Sequence, residues 1–165
     1  MRLFHGSLYV VETPRILEVS PVRHLDFGAG FYTTTSLEQA TRWVKIRLES
    51  NKDFSQGYVS CYDVSDDLLN NPKFKTLIFP EANVEWLNFV VSNRRDAGFV
   101  HDYDLVAGPV ANDRVYASVA LYENGFIDEQ ETIKRLKTYK LVDQILFHSI
   151  KSISELKYIG CEVVK

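Results

Sequence analysis

Near its N-terminus the chain reads Leu3-Phe4-His5-Gly6-Ser7, and further along it reads Gly28-Ala29-Gly30-Phe31-Tyr32-Thr33-Thr34. The first segment is a short apolar run that contains a His-Gly pair. The second is a glycine-rich turn that delivers aromatic residues and threonines into a helical pattern beginning at Ser36. Together these two segments predict a pocket that holds a flat heteroaromatic ring beside a polar sugar, which is typical of a nucleotide-handling enzyme.

The His5-Gly6 pair has two interpretations when it is taken by itself. On a strand, the imidazole would donate to a sugar hydroxyl, and the glycine backbone would approach a planar carboxamide closely because no Cβ intervenes. In the alternative, His5 is hydrogen-bonded within the strand and Gly6 marks a bulge. The pair alone favours this second, structural interpretation.

The glycine-rich segment likewise has a functional and a structural interpretation, and the segment alone does not favour either. Tyr32 offers a stacking face with a polar tip, and Thr33 and Thr34 offer hydroxyl groups. The segment is not a G-x-G-x-x-G fingerprint, because no third glycine follows, and a Rossmann dinucleotide site is therefore not predicted. The alternative is a tight turn with core aromatic residues.

Length and composition predict one domain over residues 1–165. The chain has 165 residues, of which 45% are hydrophobic, and its net charge is −3. The sequence pI of about 5.8 argues against a generally basic nucleic-acid binder. No apolar run is long enough to span a membrane, and the N-terminus has no signal-peptide pattern, so we expect no membrane partner and a cytoplasmic location.

The cysteine and histidine patterns predict no metal site. Cys61 and Cys161 form no C-x-x-C pair, and both are expected to be small buried residues. The run His101-Asp102-Tyr103-Asp104 has loose spacing and no second cluster to support it, which favours a structural role.

Hydrophobic spacing predicts helices and strands in irregular alternation, which favours an α+β fold over a doubly wound parallel sheet. The capping pattern at Ser36 and Gln39 begins a helix, and Gly108-Pro109 is expected to end a strand. The predicted strands cover residues 2–9, 58–63, 74–79, 102–107, 144–149 and 158–164, and the predicted helices cover residues from 36, 83–95, 113–123, 128–138 and 152–156.

These motifs carry a resemblance to a known superfamily. A His-Gly pair on the first strand, followed by Gly28-Ala29-Gly30-Phe31-Tyr32-Thr33-Thr34 before a helix with Ala40 and Trp43, resembles the ADP-ribosyltransferases, most closely their His–Tyr–Glu branch. The chain also looks like a bacterial family grouped with these transferases. That likeness lies in Trp86 with Asn93-Arg94, in residues 104–114 and in residues 143–148.

The resemblance implies a fold of split antiparallel sheets with flanking helices, with NAD bound as a substrate in the cleft between the sheets. It implies that His5 bonds a ribose hydroxyl, that the Gly6 backbone binds the nicotinamide carboxamide and that Tyr32 stacks on the nicotinamide ring. The implied catalytic set is His5, Tyr32 and Gln144, and the implied cofactor contacts are His5, Gly6, Ser7, Gly30, Phe31, Tyr32, Thr33, Asp113 and Arg114.

Gln144 departs from the pattern that it matches. The superfamily normally has a glutamate there, whereas a glutamine can hold a ribose hydroxyl but contributes no charge and no base. This leaves mono-transfer, slow NAD hydrolysis or binding without turnover; a polar residue at a strand start is the structural alternative. Asp113 and Arg114 are likewise open between a phosphate or acceptor contact and an ordinary first helical turn.

The function that this resemblance implies is mono-ADP-ribosylation of a macromolecular acceptor, in the manner of a toxin or defence effector with a neutralising protein partner. The alternative is a catalytically inactive module that binds NAD or another nucleotide, or a protein, on the same fold. A third reading, transfer of an RNA 2′-phosphate to NAD, calls for more arginine and histidine than the sequence supplies.

Overall fold

The computed structural model describes residues 1–16, 25–96, 98–110, 113–137 and 141–165, with the backbone alone for residues 113–116. Strands and helices alternate irregularly along it, which confirms the predicted α+β class. The elements are β1 (Arg2–Ser7), β2 (Phe31–Thr33), α1 (Leu37–Ser50), β3 (Gly57–Asp63), a 3-10 turn (Leu68–Asn70), β4 (Thr76–Ile78), α2 (Val84–Arg95), β5 (Leu105–Pro109), α3 (Asp113–Glu123), α4 (Glu129–Leu136), β6 (Asp143–Phe147), α5 (Ile150–Ile153) and β7 (Lys157–Val164).

The described strands form two sheets. The first has the order β1-β3-β7 and is antiparallel throughout, whereas the second has the order β2-β6-β5-β4. In the second sheet β4 runs parallel to β5, so the expectation of purely antiparallel sheets is wrong for this pair. The chain passes from β4 to β5 through helix α2, which supplies the crossover that a parallel pair needs.

Three apolar clusters hold these layers together. One face of the second sheet packs with Leu3 and Tyr62 of the first sheet. Its other face packs against α2 around the fully buried Trp86. The third cluster lies between α1 and the first sheet, where Ala40 and Val44 are buried. The second sheet is therefore covered on both faces, and its two faces lead to different parts of the molecule.

Side-chain caps begin the predicted helices. The Ser36 hydroxyl accepts a hydrogen bond from the Gln39 N–H at 3.2 Å, which confirms the predicted start of α1. Asn83 caps α2 and Asp128 caps α4 in the same way. These starts are set within one turn of chain, which is why the sequence predicts them well.

The structure corrects two predictions about strands. Gly108-Pro109 lies inside β5 and does not stop it. Proline is tolerated there because the short β4 ends at Ile78, opposite Ala107, and no neighbouring strand needs the missing N–H of Pro109. Strand β2 was absent from the prediction because three residues carry too little periodicity to identify a strand.

The two cysteines also differ. Cys61 is buried as predicted, whereas Cys161 is exposed, so the expectation that both are buried is wrong for Cys161. Cys161 lies on β7, an outer strand of the first sheet, and an edge strand shields its side chains less than a central one.

Gly6 lets helix α1 approach the first sheet. A Cβ at this position would lie 2.4 Å from the backbone oxygen of Ala40 and 3.0 Å from a methyl group of Val44. The glycine is therefore required by helix packing, in addition to any role towards a ligand.

We predict that Gly6→Ala lowers the free energy of unfolding by about 1–3 kcal/mol, because α1 must shift away from β1. Urea denaturation followed by circular dichroism measures the change. Ser7→Ala on the same strand is the control, since it removes only a weak bond to the Tyr9 N–H and is expected to cost under about 1 kcal/mol. Equal stability of wild type and Gly6→Ala would contradict this role.

Candidate functional site between the sheets

The two sheets meet at a single pair of backbone hydrogen bonds among the described residues. The N–H of Phe4 donates to the Thr34 carbonyl at 2.9 Å, and the N–H of Thr34 donates to the Phe4 carbonyl at 3.0 Å. In antiparallel register the next hydrogen-bonded pair would be Gly6 with Tyr32, and no backbone bond joins them. Strands β1 and β2 thus stop pairing directly after Phe4 and Thr34, and the unpaired stretch between their edges, beside the buried Gly6, is the opening.

Backbone alternation sets which groups face this opening. Phe4 directs its N–H and C=O toward β2, so Gly6, two residues on, directs its own N–H and C=O to the same edge and away from β3. By the same argument Tyr32 directs its N–H and C=O toward β1. The opening is therefore edged by peptide groups that no neighbouring strand satisfies.

The His5 ring occupies the inner end of the opening. Its Nδ1 lies 2.7 Å from the Tyr32 carbonyl oxygen, and the ring stacks on Phe31 with a centroid distance of 4.4 Å. Because a carbonyl only accepts, Nδ1 carries the proton and Nε2 of the neutral ring is an acceptor. Burial lowers the pKa of His5, although the bond to Tyr32 opposes this, and so favours the neutral form. His5 thus offers a ligand an acceptor and not the donor expected from the sequence.

The Tyr32 side chain lies on the other face of the second sheet. Consecutive strand residues point to opposite faces, and Phe31 belongs to one core cluster while Tyr32 packs on the other. The Tyr32 hydroxyl donates to the Gly28 carbonyl at 2.8 Å and accepts from the Phe27 N–H at 3.3 Å. Burial raises the pKa of this phenol far above its usual range. The structure therefore brings His5 to the Tyr32 backbone, and not to the Tyr32 ring.

The loop before β2 is held from several sides. Gly28 has a φ of 81°, and a Cβ there would lie 2.6 Å from the Asn93 side-chain oxygen. Asp26 accepts hydrogen bonds from Arg94 on α2 at 2.6 and 2.9 Å in a buried ion pair. His148 donates to the Ala29 carbonyl at 2.6 Å. These contacts position Tyr32 and its carbonyl.

The other residues expected to contact a cofactor have clear structural roles. Thr33 is buried and its hydroxyl donates to the Ile145 carbonyl at 2.7 Å. Gly30 lies where a Cβ would come within 2.7 Å of the Phe147 carbonyl oxygen. Phe31 is a core residue that contacts both His5 and Tyr62. The Ser7 hydroxyl accepts from the Tyr9 N–H at 3.3 Å.

The third expected catalytic residue, Gln144, does not meet His5. It lies on β6 next to Ile145, which shares a core cluster with Phe31, so Gln144 points to the opposite face of the sheet. There it lines a separate cavity. Helix α3 begins at Asp113, but the Asp113 and Arg114 side chains lie outside the described part of the structure.

Sequence reasoning missed Asp143, which ties β6 to the start of α1. Its carboxylate accepts from the Thr35 N–H and the Thr34 hydroxyl at 3.1 Å each, and from the Thr35 hydroxyl at 2.8 Å. These partners are 108 and 109 positions away along the chain, so no local sequence pattern predicts the contacts. The contact fixes Thr34, the residue through which the two sheets are joined.

The described residues contain neither a metal-ligand cluster nor a membrane-spanning helix. Nowhere in them do three or more histidine, cysteine or acidic side chains converge as metal ligands. Likewise, none of their helices has the length and apolar character needed to cross a bilayer.

Comparison with known proteins identifies a family. A family model described as "Protein of unknown function (DUF3990)" matches residues 1–158. No curated protein matches the chain, and no solved structure matches it.

His148 holds the loop before β2 through its bond to the Ala29 carbonyl, and its burial predicts that folding stability depends on pH. Burial, together with the neighbouring His101, lowers the pKa of His148 from 6.5 to about 4. The unfolded chain therefore takes up this proton at a higher pH than the folded one. We expect the stability contribution to be present in full above pH 6.5 and to fall by about 2–3 kcal/mol as the pH decreases to 4.

Urea denaturation at a series of pH values tests this. The matched variant is His148→Asn, whose amide N–H can still bond the Ala29 carbonyl but does not titrate. Its stability should fall less steeply below pH 6.5, although His101 and His5, whose pKa values are also lowered, retain their own contribution. Superimposable profiles for the variant and wild type would refute the assignment.

Proposed function

The chain belongs to the DUF3990 family of proteins of unknown function, and from the geometry of the opening between its sheets we propose that it is an NAD-dependent mono-ADP-ribosyltransferase. The enzyme cleaves the bond between nicotinamide and ribose and transfers ADP-ribose to a macromolecular acceptor. The observation that carries the proposal is the unpaired edge of β1 at Gly6, beside the His5 ring.

The Gly6 backbone matches the nicotinamide carboxamide. A primary carboxamide has a carbonyl acceptor and an N–H donor in one plane, and the Gly6 N–H and C=O supply the complementary pair at one strand edge. A strand that adds to an unpaired edge uses the same complementarity. The nicotinamide group takes the place that the backbone of a paired β2 would otherwise occupy.

His5 holds the ribose next to the nicotinamide. With Nδ1–H engaged by the Tyr32 carbonyl, the Nε2 lone pair accepts a hydrogen bond from a ribose hydroxyl. The ring is braced by the Phe31 stack at 4.4 Å, so it presents this acceptor in one orientation. Its lowered pKa favours the neutral form on which the acceptor depends.

In this reaction the protein mainly orients NAD and excludes water from the bond that breaks. The bond between ribose C1′ and the pyridinium nitrogen breaks, its electron pair goes to the ring nitrogen, and neutral nicotinamide leaves. A nucleophile of the acceptor then forms the new bond to C1′ and loses its proton to water or a base. Because the leaving group is already cationic in NAD, positioning and exclusion of water account for much of the rate.

The wider expectations belong to the same proposal. We place the whole of residues 1–165 in one ADP-ribosyltransferase-like domain whose split sheets bind NAD between them. The resemblance in the first segments of the chain supports a cytoplasmic toxin or defence effector with a neutralising protein partner. The structural feature that supports the NAD site within this proposal is the unpaired β1 edge at Gly6.

A second function, binding of NAD without turnover, is favoured by the position of Gln144. The amide carries no charge to stabilise the oxocarbenium-like state, and the side chain lies across the sheet from His5. In this case the opening still binds the carboxamide and ribose, and the protein acts as a nucleotide-binding or interaction module.

A substitution of His5, with a control variant elsewhere, tests the proposal. Asparagine places an amide nitrogen near the position of Nδ1 and keeps the bond to the Tyr32 carbonyl, but it removes the acceptor at Nε2. We expect His5→Asn to keep near-wild-type thermal stability and to lose about tenfold or more of the nicotinamide release from NAD. The assay follows free nicotinamide by chromatography, with and without cell lysate as a source of acceptor.

The control is Asn88→Ala, which alters an exposed side chain on α2 and should leave turnover unchanged. Turnover that survives His5→Asn would overturn the site. Saturable NAD binding by calorimetry that His5→Asn weakens, without nicotinamide release by wild type, would select the binding module. Absence of both binding and release would reject both functions.

A further inference from the structure

A cavity of about 480 Å³ lies at the edge of the second sheet where β4 and β5 end. These two strands are parallel, so their carboxyl ends meet at the same edge, and the end of α4 and the start of β6 close the space from the other side. In sheets with parallel strands this edge is the usual place for a ligand. The volume is within the range of small-molecule sites.

The cavity wall combines apolar and polar surface. Glu81 and Lys137 contribute to the lining but are exposed, whereas Asp143 is half-buried and its carboxylate is bonded to Thr34 and Thr35. The apolar lining includes Leu69, Ile78, Phe79, Pro80, Leu136 and Leu141. Such a wall favours an uncharged ligand, because a buried charge without a partner is strongly disfavoured.

Gln144 is the buried polar side chain of this lining, with 4% of its surface exposed. Its Nε2 is buried and has no hydrogen-bond partner among the described residues. The residue opposite Gln144 on β5 is Gly108, and the space where its side chain would lie is occupied by Phe79 and Phe27, so Phe79 is the wall residue next to the amide. A buried amide donor without a partner is unfavourable, so this group is ready to bond a ligand.

The amide determines which chemistry fits. Gln144 presents a donor and an acceptor side by side in one plane, and the partner that satisfies both has an acceptor next to a donor. Nucleobase edges and cyclic amides have this arrangement, and glutamine pairs with an adenine edge in the same bidentate way. Phe79 adds an aromatic surface to the wall for a flat ring.

We propose that this cavity is a second ligand site, which binds a neutral planar heterocycle with an amide-type edge through the Gln144 side chain. Its polar group, Gln144, lies on the opposite face of the second sheet from His5, although Ala107 and Ile145 of the cavity wall belong to the same face as Phe31. The site therefore stands whether or not the protein cleaves NAD.

The probes are uracil and adenine, and 1,3-dimethyluracil is the matched control ligand because it keeps the ring and carbonyl groups but lacks both N–H donors. Titrations are followed by calorimetry and by the two tryptophan indole signals in nitrogen-edited NMR spectra. Trp86 donates to the carbonyl of the lining residue Pro109 at 3.0 Å, whereas Trp43 is exposed on α1. Ligand in the cavity should shift the Trp86 signal and leave that of Trp43 in place.

We expect saturable binding of at least one base and about tenfold or more weaker binding of the dimethylated control. Gln144→Leu should weaken binding of the base to a similar degree, and Leu141→Trp, which fills the space from the wall, should abolish it. His5→Asn should leave it unchanged, which separates this site from the proposed NAD site.

Two results would overturn the site: no saturable binding of either base to wild type, or undiminished binding to both cavity variants. The proposal would also be rejected if His5→Asn weakened binding of the base and the cavity variants did not, because the base would then bind in the opening at His5. Thermal melts check that each variant is folded, and Leu141→Trp carries the test if Gln144→Leu does not fold.

Discussion

The reciprocal hydrogen bonds between Phe4 and Thr34 are the contact on which the opening between the sheets, the site of the proposed function, depends. They join the edge of one sheet to the edge of the other, at 2.9 and 3.0 Å, and the register ends there. Because pairing stops after one pair, the peptide group of Gly6 has no partner strand at this edge, while the Tyr32 carbonyl is bonded by the His5 ring. A second pair would close the opening, whereas the packing of Leu3 and Tyr62 against the second sheet holds the two sheets together independently of the first pair.

The pairing of β1 with β2 ends at this point because each strand is held by contacts on its far side. On one side Gly6 brings β1 against α1, where no Cβ would fit beside the Ala40 carbonyl. On the other side β2 is paired to β6, and the Tyr32 hydroxyl is bonded to Gly28 in the preceding loop. Each strand is thus held by contacts on its far side, and the His5 ring occupies the inner end of the opening between them.

The two faces of the second sheet separate the polar groups of the protein into two places. His5 and Phe31 lie on one face, whereas Gln144 lies on the other and lines the cavity at the ends of β4 and β5. Consecutive residues of a strand point to opposite faces of the sheet, so a shift of one position along β6 decides whether a side chain faces His5 or the cavity. The expected triad of His5, Tyr32 and Gln144 is for this reason divided, with only the Tyr32 backbone reaching His5.

The sequence by itself determined the local elements of this protein. The caps at Ser36, Asn83 and Asp128 lie within one turn of the helices that they begin, so helix starts could be predicted from neighbouring residues. The pairing of the His-Gly strand with the glycine-rich segment as one candidate site could also be recognised from sequence. Only the tertiary structure decided the short β2, the continuation of β5 through Pro109, the exposure of Cys161 and the bonds from Thr34 and Thr35 to Asp143. Each of these depends on which strands become neighbours and which faces are covered, and such contacts between distant residues leave no periodic signal in the chain.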